Sequence, residues 1–329
     1  MDRRGDGLML SRVADYLYWM ARNLERAEDT ARLINAISRV LLDLPRGATF
    51  GWDVLVRVMG LDKLFAESYP SHDEASTMRF LIADPGNPSS ILSCIQAARE
   101  NCRRLRDVLP RACFERINAM YLRTRTEVAR ATGRSARTAM LEELIVGRQG
   151  IDGLLSECMS HDIAYQFIRL GEHIERADMT TRIVDIHAAV LVPRRPVAED
   201  PTVALLWVGV LRSLSAYQMY RRHGSAQVTS AGVVNFLVND PHFPRSVRHC
   251  LDKIELHLSE LPHNLTSLRA LRRAQRRIDR LSLDSLSPSL RHEYLDAVQS
   301  DLARIHDEVA QEYFHYHEQQ STALRAEAA

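Results

Sequence analysis

The chain has 329 residues, with 43 Lys and Arg against 42 Asp and Glu, a formal net charge of +1, and 46% hydrophobic and 26% charged residues. That balance excludes recruitment of nucleic acid or a membrane surface by net charge alone, and the apolar share excludes disorder over most of the length. With 14 Gly and 12 Pro, the punctuation is too sparse for an all-β fold and implies long helices.

In chain order, apolar residues at 10, 13, 14, 17, 20, 21, 24, 27, 31, 34, 37 and 41 keep three-and-four spacing and predict one long helix, ended by Leu44-Pro45-Arg46-Gly47. Further helices are expected at about 51–67, 73–83, 88–108, 111–132 and 136–158, then 161–191, 202–222, 228–239, 244–260, 264–281 and 288–319. Asp84-Pro85 and Asp240-Pro241 should stop helices, because the residue before Pro is pushed out of the α region, and Pro88 and Pro244 suit the first turn of the next helix. Val192 to Pro201 reads as a surface linker.

Three blocks recur in the same order. Leu24-Glu25-Arg26-Ala27-Glu28-Asp29-Thr30-Ala31-Arg32-Leu33 returns 150 positions on as Ile174-Glu175-Arg176-Ala177-Asp178-Met179-Thr180-Thr181-Arg182-Ile183. Trp52 and Arg57 return as Trp207 and Arg212, and the segment Phe80 to Ser90 returns as Phe236 to Ser246, with Cys94 matching Cys250. Such periodic self-similarity predicts a duplicated unit. The expected fold is all-α: a duplicated multi-helix bundle with two pseudo-twofold-related halves of about six helices each, 8–158 and 159–320, and disordered tails at 1–7 and 321–329.

The five Cys are odd in number and form no C-x-x-C pair, so reduced, buried thiols are expected. The beginning of the chain lacks an apolar signal core. The longest apolar run, Val203 to Leu211, falls well short of the roughly 20 residues needed to cross a bilayer, so a cytoplasmic protein with no membrane partner is expected.

Candidate site residues lie on the repeated helices. At about 100° per residue, Tyr18, Arg22, Glu25, Asp29 and Arg32 share one stripe beside the apolar face of the first long helix, with Arg26 on the next; in the second half Glu172, Glu175 and Arg182 share the first stripe, with Arg176 on the next. Carboxylates and guanidiniums beside an apolar face must satisfy each other or a ligand. The structural reading ties the two long helices by ion pairs such as Glu25 to Arg176 and Glu175 to Arg26. The functional reading places the same groups around a central cleft, with arginines holding a carboxylate or phosphate and glutamates receiving an amine.

Leu10 to Glu28, Phe167 to Asp178 and Phe236 to Ser246 together resemble the signatures of the bacterial alpha-E domain family, over essentially the whole chain. The segment Arg106 to Arg116, with its Pro110, departs from the family pattern. The resemblance implies an all-helical protein whose relatives are encoded beside, or fused to, circularly permuted ATP-grasp ligases and transglutaminase-like proteins. It also implies a role in ATP-dependent peptide-bond formation, with a peptide or amino acid as ligand.

Arg269, Arg272, Arg273, Arg276, Arg277 and Arg280 cover one face of a later helix and form a candidate partner-docking stripe. It carries no interleaved aromatics for base stacking, so nucleic acid is a poor fit. Two Glu-x-x-His strings, Glu260 to His263 and Glu312 to His315, are too few for a di-iron bundle site, and no metal or other cofactor is expected. No Walker loop, G-x-G-x-x-G, G-x-S-x-G or H-E-x-x-H occurs. The expected function is that of a helical partner of an ATP-grasp ligase; the alternative is an enzyme or small-ligand-binding protein with a central Glu-Arg cleft.

Overall fold

The structure is a computed structural model that describes residues 3–43, 51–128, 133–190, 201–223, 227–280 and 288–314. Every regular element among them is helical. In order these are α1 (Arg3–Asp43), α2 (Asp53–Val58), α3 (Asp62–Ser68), α4 (Glu74–Ile82), α5 (Ile91–Arg103), α6 (Arg111–Val128) and α7 (Arg134–Cys158). There follow α8 (Ile163–Val190), α9 (Pro201–Ser213), α10 (Tyr217–Arg222), α11 (Ser230–Asn239), α12 (Val247–Ser259), α13 (Leu265–Arg280) and α14 (Pro288–Val309), which runs into a π-helical turn at Ala310–Phe314. Residues 3–7, expected in a frayed tail, belong to α1. The proposed linker at 192–200, the tail at 321–329 and the first helix stop at 44–47 lie outside the described residues.

The two long helices are central, each burying an apolar stripe with charged and polar side chains beside it. On α1, Leu17, Leu24, Ala31, Ile34 and Ile37 are buried; on α8, Ile168, Leu170, Ile174, Ala177 and Ile183 are buried. The helices pack on each other, α1 also on α5, α7 and α9, and α8 also on α12, α14 and, more lightly, α2. Close approach of α1 and α8 depends on Gly171, where a Cβ would overlap the backbone carbonyl oxygen of Tyr18.

Two expected helices are each broken in two. The helix expected at 51–67 splits at Gly60, whose φ of +67° is the left-handed region that glycine enters without steric penalty. The helix expected at 202–222 splits at Ser215, with φ +54°. Apolar spacing runs through both breaks, which is why periodicity alone joined the pieces. Fourteen α-helices among the described residues therefore replace the expected dozen.

Both Asp-Pro blocks are turns, but the prolines sit ahead of the next helix rather than in its first turn. Ser90 caps α5 by accepting from the Ser93 amide, and Ser246 caps α12 by accepting from the His249 amide. Asp84 and Asp240 shape the turns by accepting from the amides of Gly86 and of His242 and Phe243, at 2.7–2.8 Å. Cys94 and Cys250 lie beneath them, their thiols directed at the Pro88 and Pro244 carbonyls. Cys102 and Cys113 are buried too, whereas Cys158 is exposed, against expectation.

Glu312 has a structural task. Its carboxylate accepts from the amides and hydroxyls of Thr266 and Ser267, closing the first turn of α13 with a negative charge where the helix dipole favours one. His315 lies outside the described residues.

Candidate functional site

Leu24 and Ile174 point into the core at the crossing of α1 and α8, and the next two side chains on each helix flank that contact. Arg176 makes a two-pronged contact with Glu25 (Nε to Oε1 2.7 Å, Nη2 to Oε2 3.0 Å). Arg26 makes the same contact with Glu175 (Nε to Oε1 2.5 Å, Nη2 to Oε2 3.0 Å). Each Glu-Arg dipeptide thus gives its acid to one clamp and its base to the other. The bidentate geometry fixes the register of α1 on α8 as well as neutralising buried charge. Both glutamates are almost wholly buried.

The surroundings of the two clamps differ. Glu175 also accepts from Arg22 (2.7 Å), and the Arg22 guanidinium lies 4.9 Å from the Trp19 ring. Beyond it the Tyr18 hydroxyl meets His306 Nδ1 at 2.8 Å, with the two rings stacked and Phe314 against Tyr18. Burial pushes the Tyr18 hydroxyl up to about 12 and His306 down to about 4, so both are neutral near pH 7. Aromatic rings cover this side around Arg22, while the Arg26 side chain stays 21% exposed.

Glu25 is surrounded by charge. Besides Arg176 it meets Arg245 Nη1 at 3.1 Å and Arg148 Nη2 at 3.3 Å. Arg245 continues to Asp29 (2.5 Å) and Glu28 (3.0 Å), and Arg176 also bonds Glu172, which pairs with Arg169 at 2.7 Å. Position 22 carries Arg, and its counterpart 150 positions on is Glu172; the reversal draws Arg148 and Arg169 into the network. Arg32, Arg148, Arg169, Arg176 and Arg245 face Glu25, Glu28, Asp29, Asp152 and Glu172.

Burial alone would push Glu25 up, but Arg176, Arg245 and Arg148 outweigh it and hold the carboxyl down to about 2. Burial is likewise outweighed at Glu175 by Arg22 and Arg26, and at Glu172 by Arg176, Arg148 and Arg169, so all three stay ionised. Asp29 goes the other way. Burial is the largest cause, Arg245 opposes it, the neighbouring Glu25 and Glu28 reinforce it, and the carboxyl is pushed up to about 8.

The sign of the resulting pH dependence is fixed. Below about 8 folded Asp29 retains its proton, whereas in the unfolded chain it ionises near 3.8, so its contribution to stability is lost as pH rises through that interval. Asp29→Asn, neutral at every pH, should therefore gain stability relative to the parent between about pH 5 and 8. Melting temperatures measured side by side across that range check this; a difference that does not grow with pH contradicts it.

On the Glu25 side the network opens into a cleft of about 260 Å³. Its walls are Glu28 and Arg32 of α1, Arg148, Gln149 and Asp152 of α7, Arg176 of α8, Leu214 and Ser215 at the α9–α10 break, and Phe243, Pro244 and Arg245 of the turn before α12. Arg32 leaves the Glu25 clamp to bond Glu28 (Nε, 2.8 Å) and Ser215 Oγ (Nη1, 2.5 Å). Arg182 stands apart as well, bonded to Asp178 on its own helix and lying against Gly60. The structure thus brings together Arg22, Glu25, Arg26, Glu175 and Arg176, and places Arg32 at the cleft and Arg182 at the α2–α3 break.

The sequence reading placed Asp29 and Glu172 on the charged stripes without naming them as site residues, and did not single out Arg148, Arg169, Arg245 or Glu28. Arg148 had a signal. It occupies the middle of the buried stripe Leu141, Leu144, Arg148, Ile151, Leu155 of α7, an unbroken apolar rhythm apart from one guanidinium. Arg245 lay inside a repeated block where the first copy has Ser89.

On α13, Arg269, Arg272, Arg276 and Arg280 are exposed and make no ion pair among the described residues. Arg273 and Arg277 are held by the buried Asp301 of α14, at 3.1 and 2.6 Å. The described residues also bring Asp185, His292 and Asp296 together, with the His292 ring hydrogen-bonded to Asp185 at 2.6 Å. No helix among the described residues is long and apolar enough to cross a membrane.

The chain is 25% identical over 279 residues to uncharacterized proteins of Mycobacterium bovis and Mycobacterium tuberculosis; the match covers 78% of this chain and 30% of each of theirs. No solved structure matches it. Residues 9–314, which hold the whole clamp and the whole cleft, match the family described as a predicted alpha-helical domain with a conserved ER motif, and the chain belongs to this Alpha-E family.

Proposed function

We propose that this chain is a helical binding module that works in the cytoplasm as partner of a circularly permuted ATP-grasp ligase, alone or with a transglutaminase-like protein. In this reading it holds an amino acid or peptide for ATP-dependent amide-bond formation. The observation that carries the binding role is the division of labour within the charged network. Glu25 and Glu175 are locked as carboxylates in buried two-pronged clamps, while the groups at their edge line an open cleft. A carboxylate held ionised by several arginines is a poor proton donor and a good scaffold. The mycobacterial relatives, of which the matched segment is 30%, carry it within longer chains, which suits a module that acts beside other units.

The same reading takes the bundle as a duplicated one, with halves meeting at α1 and α8. In its favour are the repeated blocks, the reciprocal clamps, the paired turns capped by Ser90 and Ser246, and the parallel packing of α1 on α5 and α7 and of α8 on α12 and α14. An enzymatic role for the cleft, the alternative, draws on Asp29, a carboxyl raised into the neutral range.

For docking, the outer part of the α13 stripe offers exposed guanidiniums to an acidic partner surface. Co-purification of the chain with a circularly permuted ATP-grasp ligase encoded beside it tests the proposal. A stoichiometric complex is expected, and the triple variant Arg269→Glu/Arg272→Glu/Arg276→Glu should abolish it. Because these side chains are exposed, its stability should stay within about 0.5 kcal/mol of the parent. A complex that forms equally well with the triple variant removes the stripe as the docking face, and no complex at all removes the ligase as partner.

A further inference from the structure

The cleft beside Glu25 holds an arginine whose environment is unlike that of its neighbours. Arg148 is 4% exposed, yet it makes one hydrogen bond, to Glu25 at 3.3 Å. Its other carboxylate neighbours lie beyond hydrogen-bond reach: Glu172 at 3.7 Å, Asp152 at 3.9 Å and Glu28 at 4.0 Å. Its Nε has no partner among the described residues. By contrast, Arg26 and Arg245 each make at least two ion-pair contacts of 2.5–3.1 Å with acids. A buried guanidinium left with spare donors costs free energy that a well-placed acceptor would recover.

The charge balance decides what that acceptor belongs to. Arg32, Arg176 and Arg245 of the cleft wall are already bonded to acids, which leaves Arg148 with spare donors beside Glu28 and Asp152, so a simple anion seated on Arg148 would also meet those two carboxylates at close range. A simple cation seated between those acids would leave Arg148 unsatisfied and face it at close range. A ligand carrying an ammonium and a carboxylate on one carbon satisfies both demands. The size agrees, since about 260 Å³ is below the roughly 300–1,000 Å³ of sites for drug-sized molecules. The remaining wall holds the apolar Leu214, Phe243 and Pro244 beside Gln149 and Ser215.

We infer that this cleft is the binding site for a free α-amino acid with an uncharged, apolar side chain. Arg148 donates to its carboxylate, Glu28 and Asp152 accept from its ammonium, and Leu214 and Phe243 meet its side chain. The inference rests on the binding role proposed above and names the ligand and the groups that hold it. It is tested on the isolated full chain, without any ligase, so its failure leaves the docking proposal standing and is distinguishable from a failure of that proposal.

Thermal-shift and calorimetric titrations should use L-leucine, L-phenylalanine and L-valine, with 3-methylbutylamine and 4-methylpentanoate as one-charge analogues of leucine, and inorganic phosphate. At least one of the amino acids is expected to bind with a Kd at or below about 1 mM, and each one-charge analogue about tenfold or more weakly. Asp152, 37% exposed, can change without opening the core. Asp152→Asn gives up its ion pair with Arg169, which Glu172 still holds, and should weaken amino-acid binding about tenfold with the fold intact, and Arg148→Gln, if folded, should abolish it. The inference is overturned if none of the amino acids binds, if an analogue with one charge or phosphate binds as tightly as the best amino acid, or if Asp152→Asn binds like the parent.

Discussion

Glu25→Gln should destabilise the fold by about 3–5 kcal/mol, the range found when one partner of a buried ion pair is removed. The amide keeps the size of the side chain, but Arg176, Arg245 and Arg148 lose the carboxylate they share, and three guanidiniums at or below about a tenth exposure cannot turn to water instead. Chemical denaturation gives the free energy directly. A companion cycle with Arg176→Met should return a coupling of at least about 1 kcal/mol, because the two residues share two hydrogen bonds. The acid limb carries a second signature. Folded Glu25 titrates near about 2 against 4.5 in the unfolded chain, so the stability it contributes is present above 4.5 and is lost as pH falls toward 2. Glu25→Gln should flatten that limb. A variant as stable as the parent would show that the clamp does not hold α1 to α8.

Gly171→Ala should cost about 1–3 kcal/mol or more by overpacking, despite replacing glycine with the best helix former. The added methyl would overlap the Tyr18 carbonyl oxygen, a backbone atom that cannot rotate aside, so α8 must move away from α1 and both clamps lengthen with it. The matched control is Gly153 of α7, where a Cβ meets nothing within 4 Å. There Gly153→Ala should stabilise by up to about 1 kcal/mol through helix propensity alone. Opposite signs for the two substitutions, read from denaturant midpoints, locate the effect in the α1–α8 contact. Equal signs would mean that the crossing has room to spare.

The helices were legible in the sequence because burial imposes a rhythm of three and four on any helix with one apolar stripe. α1 and α8 keep that rhythm over most of their length, and the Asp-Pro blocks carry their own turn chemistry. The breaks at Gly60 and Ser215 were not legible, since apolar side chains flank both and the spacing continues through them. Glu312 shows how little a short ligand string says about the use of its residues. A Glu-x-x-His string names ligand types, but the carboxylate is used by the first turn of α13, some 45 residues earlier.

The sequence by itself determined that the chain is all-helical, that its Glu-Arg dipeptides lie beside an apolar face, and that they need partners there. Those conclusions depend only on short-range periodicity and on the free energy of burying charge. Only the tertiary structure decided which partners they find. Arg148, Arg245 and Asp152 come from other helices and turns, and their convergence on Glu25 depends on how α7 and the turn before α12 pack against the crossing of α1 and α8. The same packing sets aromatic rings beside Glu175 and a cleft beside Glu25. Two related stretches of sequence therefore end in different surroundings, because long-range packing sets the local dielectric and charge that each one meets.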